Sequence, residues 1–252
     1  GTTLASRLRG GVDDWPDRVI VTDSQRLAYP VKWRKSATMT RRWRLVNGEE
    51  LYDMDVDPGQ RHDVAADYPD VVGRLREGYE QWWEAVSVQF DRTIPITLGR
   101  RVGEVERLTT HDWRNDPVAC AWNQAEVRAG MVCNGYWEID VAAPGRYRFE
   151  LRRWPREEDR AVVAGIPGPL KSFTADIRHG WGGGCAIPLT AARLRVGDRE
   201  LNQPIAPDHK AVVFEMDLEA GETQLQTYLV DDEGTEIGAY FVYVARLGEA
   251  AA

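Results

Sequence analysis

The stretch Trp43-Arg44-Leu45-Val46-Asn47-Gly48-Glu49-Glu50-Leu51-Tyr52-Asp53 constrains the fold more than any other part of the chain. Asn47-Gly48 supplies two residues that tolerate positive φ, the strongest short-range hairpin signal when apolar runs flank it. Upstream, Ala37, Met39, Trp43 and Leu45 share one parity, as a strand with one buried face requires. Downstream, Leu51, Tyr52 and Met54 begin a return strand, and Asp57-Pro58-Gly59 closes it with turn chemistry.

The spacing Asp53-x-Asp55-x-Asp57 raises the question of calcium. An EF-hand loop needs Gly at its sixth position and a bidentate Glu at its twelfth. Pro58 and Val64 stand there instead, so these carboxylates are read as turn and strand-end groups. Before the hairpin, Val19, Ile20 and Val21 form a short apolar run that predicts a buried strand, left by the polar loop Asp23-Ser24-Gln25-Arg26. After it, Pro69 opens a helix over residues 69–86, since its missing N–H costs little in a first turn. Val71, Val72, Leu75, Tyr79, Trp82, Trp83 and Val86 make one apolar face at helical spacing.

At 252 residues the chain is long enough for two compact units. Its net charge of −8 argues against a nucleic-acid partner, because phosphate binding needs a basic footprint. No apolar run approaches the length of a membrane span. Arginine is locally dense at Arg41, Arg42 and Arg44 and again at Arg152, Arg153 and Arg156. Such clusters fit solvated strand faces, and equally the carboxylate or sulfate of a glycan. Cys120, Cys133 and Cys185 have no metal spacing. Buried free thiols and a Cys120–Cys133 disulfide both remain open.

From about residue 112 the pattern changes to short strands between turns. Trp137, Ile139 and Val141 alternate, Ala143-Pro144-Gly145 turns, and Tyr147, Phe149 and Leu151 alternate back. Val212, Phe214, Met216 and Leu218 alternate before Glu219-Ala220-Gly221, Leu225, Thr227 and Leu229 follow, and residues 238–244 make a closing strand. Regular hairpins of this kind predict an antiparallel β-sandwich or jelly roll.

The hairpin, with W-R-L running into L-Y-D-x-x-x-D-P and then a helix, resembles the C-terminal subdomain of the sulfatases. The resemblance covers residues 1–90 and keeps its order. Thr3-Leu4 through Leu8-Arg9-Gly10 is similar to the family's G-x-S-L-x-x-x-L-x-G. Asp17-Arg18, Trp33-Arg34, Trp43-Arg44-Leu45, Leu51-Tyr52-Asp53, Asp57-Pro58 and Tyr79 through Trp83 follow in sequence. The family's nucleophile lies in C/S-x-P-S/A-x-R, matured to formylglycine beside a calcium ion. The nearest match here, Cys185-Ala-Ile-Pro-Leu-Thr-Ala-Ala-Arg193, has its proline one residue late and lies in the wrong half of the chain.

The resemblance therefore implies the C-terminal, non-catalytic portion of a sulfatase acting on sulfated carbohydrate. On that reading the chain holds no cofactor itself, and calcium and formylglycine belong to a catalytic domain that is its partner. The chain alone would be inactive, and the parent periplasmic or extracellular. The expected architecture is α+β: a small antiparallel sheet plus one helix over residues 1–90, a linker over 91–111, and an all-β sandwich or jelly roll over 112–250.

Residues 135–149, G-Y-W-x-I-x-V-x-x-P-G-x-Y-x-F, are also similar to the entry hairpin of many carbohydrate-binding modules. The alternative function is accordingly a carbohydrate-binding module, or a structural and oligomerisation module. Ten tryptophans suit sugar-stacking platforms, with Trp113, Trp122, Trp154 and Trp181 in loop-like surroundings, and they equally suit core filling. The candidate substrate-binding residues are Asp23, Gln25, Arg26, Lys32 and Arg34 in the first unit. In the second they are His111, Trp113, Arg153, Trp154, His179 and Trp181. Arg26 would take a sulfate or uronate oxygen pair and Gln25 a sugar hydroxyl. The glycine-rich loop at 180–184 would carry Trp181 as a ligand residue. No candidate catalytic or metal-ligating residues emerge.

Overall fold

The computed structural model describes residues 3–11, 17–25, 27, 29–115, 120–171 and 182–249. It divides into two compact units, Gly1–Arg92 and Thr93–Ala252.

The first unit opens with a four-residue helix, α1 (Ala5–Leu8), all of it exposed. Four antiparallel strands follow in the spatial order β1 (Ile20–Asp23), β2 (Ser36–Met39), β3 (Trp43–Val46) and β4 (Glu50–Asp53). Asn47 and Gly48 take φ of 50° and 73° at the β3–β4 turn, as their chemistry predicts. Trp43, Leu45 and Leu51 meet Leu75 of α2 (Pro69–Ser87) in a small core.

Two expectations need correction here. Residues 37–45 are two strands, because the chain reverses at Thr40–Arg42, and the reversal inverts the parity. Thr38 lies opposite Leu45, so Ser36 and Thr38 are buried in β2, while Ala37 and Met39 are not. The run at Val19–Val21 is also not a buried strand. β1 is the sheet's edge, with Ile20 44% exposed.

Two of the three acidic side chains are engaged by local bonds, and Asp55 is exposed. The Asp53 carboxylate accepts from Arg42 Nε at 3.0 Å and Nη2 at 2.6 Å, and that bond holds its carboxyl below the usual range. Asp57 accepts the backbone N–H groups of His62 and Arg61 at 2.9 and 2.7 Å, and is lowered in the same way.

The second unit is a β-sandwich. One sheet has the order β12 (Arg199–Pro204), β11 (Leu189–Val196), β14 (Gly221–Asp231), β7 (Tyr136–Val141) and β5 (Ile96–Leu98), with β15 (Glu236–Ile237) beside β14. The other has the order β13 (Val212–Leu218), β8 (Gly145–Arg152), β16 (Phe241–Gly248) and β6 (Val105–Thr109). A two-stranded ribbon of β9 (Ile166–Leu170) with β10 (Gly182–Gly184) and a short helix, α3 (Gln124–Ala129), complete it. The core between the sheets includes Leu98, Leu108, Trp137, Ile139, Phe149, Phe214, Leu225 and Val244.

Residues 96–109, expected as linker, thus supply β5 and β6 to the sandwich. The closing strand begins at Phe241, later than the expected 238. The largest correction concerns connectivity. β7 pairs with β14 and β5, whereas β8 pairs with β13 and β16, so residues 136–152 are not a hairpin. They form an arch between the two sheets, and β13–β14 forms a second arch beside it. Two strands that face each other across a sandwich alternate as two strands of one hairpin do, so alternation alone cannot separate them.

A cleft at the end of the four-stranded sheet

A cleft of about 460 Å³ lies where β6 and β16 run out, lined in part by Arg107, Thr109, His111, Trp122, Gln124 and Phe241. Register puts Thr109 beside Phe241. The chain then turns through a 3₁₀ segment, Thr110–Asp112. Thr110 is buried, and its hydroxyl donates to the Ala121 carbonyl at 2.7 Å, tying the two walls together.

Across the cleft, an Asn123–Glu126 capping box starts α3. Asn123 Oδ1 accepts from the N–H of Ala125 at 2.9 Å and of Glu126 at 3.2 Å, and Glu126 Oε2 accepts from Trp122 N at 2.6 Å. The Trp122 backbone is therefore fixed by the helix start. His111 Nε2 lies 2.8 Å from the Trp122 carbonyl, with the two ring centroids 4.8 Å apart. That bond assigns the proton to Nε2 in neutral His111. Deeper in the wall, Tyr240 donates its hydroxyl to the Met131 carbonyl at 2.7 Å, and burial pushes its phenol well above the ordinary range.

The cleft offers partly buried ring surface from Trp122 and Phe241, together with an imidazole, an amide, a hydroxyl and a guanidinium. Rings with polar groups at their margin recognise a ligand that has apolar faces and hydroxyl edges. Among the described residues, His111 is oriented by a backbone carbonyl and not by a carboxylate as a general base of a triad would be. Among the described residues, no group of three or more His, Cys, Asp or Glu is placed to hold a metal ion.

A second groove, of about 490 Å³, crosses the outer face of the six-stranded sheet at Tyr136, Arg195, Glu200, Gln224 and Gln226. Its polar groups are largely spent on each other, with Gln224 donating to Glu138 at 3.1 Å and Arg195 donating to Gln226.

Of the candidates from sequence, His111 lies in the cleft. Trp113 does not. Its ring is 7% exposed and packs edge-on to Trp137, with centroids 5.6 Å apart. Arg153 and Trp154 have no exposed surface. The Arg153 guanidinium donates to the carbonyls of Arg128 at 3.3 Å and Ala164 at 3.4 Å, and Trp154 Nε1 donates to Ala164 at 3.0 Å. Burial lowers the Arg153 pKa. Rings and cations so enclosed have no face to offer a sugar.

In the first unit, Gln25 is consumed by its own loop. Its Nε2 donates to Asp23 Oδ1 at 2.9 Å and to the Val31 carbonyl at 2.8 Å, and its Oε1 accepts from Val31 N at 2.8 Å. Lys32 pairs with Glu80, and Arg34 is exposed. Arg26, His179 and Trp181 lie outside the described residues, and Gly182–Gly184, expected in the ligand loop, pair as a strand with β9. Sequence reading missed Arg107, Thr109 and Phe241, which alternation marks only as strand residues. The Asn123-x-x-Glu126 capping box was the available signal for the Trp122 wall.

No protein-family model matches the sequence, and a search of curated proteins finds no match. Among solved structures, a ruminal GH26 endo-β-1,4-mannanase is similar at TM-score 0.31 and 10% identity, over 61% of this chain and 27% of that one. A family 35 carbohydrate-binding module from Cellvibrio japonicus Abf62 is similar at TM-score 0.30 and 12% identity, over 58% of this chain and 94% of that one. One from Clostridium thermocellum stands at TM-score 0.28 and 10% identity, over 56% and 98%. Likeness at this level fixes neither fold nor ligand, which rest on the strands and the cleft themselves.

Proposed function

We propose that the β-sandwich is a carbohydrate-binding module whose ligand occupies the cleft between Thr109–His111 and Trp122–Gln124. The partly exposed Trp122 ring, its backbone fixed by a capping box and its ring braced by His111, carries this reading. A pyranose ring stacks its C–H face on such an indole, while Gln124, Thr109 and His111 serve its hydroxyls. The test is a glycan array with the whole chain, compared with Trp122→Ala. Binding to a defined glycan that the variant loses supports the proposal. An array with no binding, or binding indifferent to Trp122, overturns it.

A second reading concerns Gly1–Arg92. The ordered motifs there, together with a four-stranded antiparallel sheet and one packed helix, support a sulfatase C-terminal subdomain serving a catalytic domain. No nucleophile motif is present in the sequence, so the purified chain is expected to leave an aryl sulfate intact. Hydrolysis of that substrate by the chain, lost on Cys185→Ala, would refute this assignment.

A further inference from the structure

The outer face of the four-stranded sheet continues from the cleft, and its charge differs from that of the molecule as a whole. Register sets Arg152 beside Phe241 and Phe241 beside Thr109. One row along, Glu150 lies beside Tyr243 and Tyr243 beside Arg107. Neighbouring strands lie about 4.8 Å apart, so Arg152 is within about one strand of the cleft wall.

Glu150 is the anchor of this face. It is 5% exposed, and its carboxylate accepts from Arg156 Nη2 at 2.7 Å and from Arg152 Nε, while Arg148 Nη1 stands at 4.0 Å. Arg156 also covers the Tyr243 ring at 4.2 Å. Among the described residues, the ion-pair partner of Arg107 is Glu157, at 3.8 Å. Glu215, which sits across from Arg148, is engaged by Arg146 at 3.4 Å. Four guanidinium groups (Arg107, Arg148, Arg152 and Arg156) are therefore served by Glu150 and Glu157, with Asp159 near Arg152 but itself bonded by Lys210. Among the described residues, buried Arg152 Nη1 has no hydrogen-bond partner. This local surplus of positive charge stands in a chain of net charge −8.

We infer that the glycan held by the cleft is anionic, and that its carboxylate or sulfate groups are taken by this arginine array. The inference rests on the cleft reading and adds the ligand's charge to it. Guanidinium forks match both oxyanions. The array is a specificity determinant beside the cleft: Trp122 takes a ring, and the arginines select for a charged one.

Dextran, carboxymethyl-dextran and dextran sulfate share one backbone and differ in charge, so they are the probes. Isothermal titration against the whole chain should show binding of one or both charged polymers, with little for dextran. Affinity should fall at least tenfold in the double variant Arg107→Gln/Arg148→Gln. Both side chains are about half exposed, so the fold should survive, and thermal unfolding checks that. Wild-type affinity should also drop steeply as salt rises, a readout independent of any variant. The carboxymethyl and sulfate arms decide which oxyanion is taken. Absence of charged-polymer binding, or binding indifferent to both salt and the substitutions, overturns the inference. Trp122-dependent binding of neutral glycans on the array would then leave the cleft reading standing.

Discussion

The Trp33 ring lies flat on the Tyr79 ring, with centroids 3.7 Å apart and planes 21° apart. The Tyr79 hydroxyl accepts the Trp33 backbone N–H at 2.9 Å. The Asn47-Gly48 turn rests on the same indole, and Arg76 Nε of α2 donates to the Gly48 carbonyl at 2.7 Å. A turn that local chemistry would form anywhere is thereby pinned to a helix some thirty positions later.

Gly48 is the position this clamp tolerates least. A Cβ there would stand 2.7 Å from Trp33 Cε3, on a backbone at φ +73°. Gly48→Ala should cost about 1–3 kcal/mol from overpacking alone, before the strain of positive φ. Urea unfolding followed by tryptophan fluorescence reads this. An unchanged midpoint would mean the turn does not bear on Trp33.

What the sequence made legible follows from which interactions are local. The Asn47-Gly48 turn, the Pro69 helix start and the alternation in β7, β8, β13 and β14 are written in neighbouring residues. Which strand pairs with which is not. Val141 pairs with Gly221 and Gly145 with Leu218, partners more than seventy residues away, so two arches read as two hairpins. The cleft was half visible for the same reason: His111 and Trp122 stand out as residue types, whereas Phe241 enters only through the β6–β16 register. Trp154 and Arg153 show the converse. A loop-like context suggested exposure, and packing against Ala164 and the end of α3 buried them.

Glu150 gives the fold an acid limit. Burial works to raise its carboxyl, but hydrogen bonds from Arg156 and Arg152 outweigh that and hold it below the ordinary value of about 4.3. A depressed folded pKa contributes stability that is fully present above the unfolded value and is lost as pH falls through the folded one. Glu150→Gln should therefore be less stable by about 2 kcal/mol at pH 7 and converge on wild type in acid. Thermal melts from pH 7 down to about pH 2 would show it. Parallel pH profiles would mean the carboxylate adds nothing to folding.

Cys133 is a buried free thiol, pushed by that burial from its ordinary value up to about 11. At pH 8 its thiolate fraction is roughly a hundredfold below that of a solvent-exposed thiol, and the thiolate is the form that alkylates. Iodoacetamide should label Cys133 slowly in the folded chain and readily in urea, with peptide mass spectrometry resolving the site. Equal rates in both states would place the sulfur in contact with solvent.

Trp113 and Trp122 lie on either side of the same 3₁₀ turn's contacts, and the structure gives them opposite work. Trp113 is packed against Trp137, and the absence of side chains at Gly135 and Gly238 makes its room. A Cβ on Gly238 would lie 2.4 Å from the Trp113 ring. Truncating it leaves a large cavity, so Trp113→Ala should cost about 3–5 kcal/mol. Trp122 keeps only part of its ring exposed, the rest packing against the core and beside the His111 ring, while its backbone is held by Glu126 and its carbonyl by His111. Trp122→Ala should therefore cost clearly less than Trp113→Ala, about 1–3 kcal/mol, while glycan binding is lost. Chemical denaturation and the glycan array, run on both variants, separate the two roles. If Trp122→Ala costs as much stability as Trp113→Ala while binding persists, the cleft is a packing seam and its ring no platform.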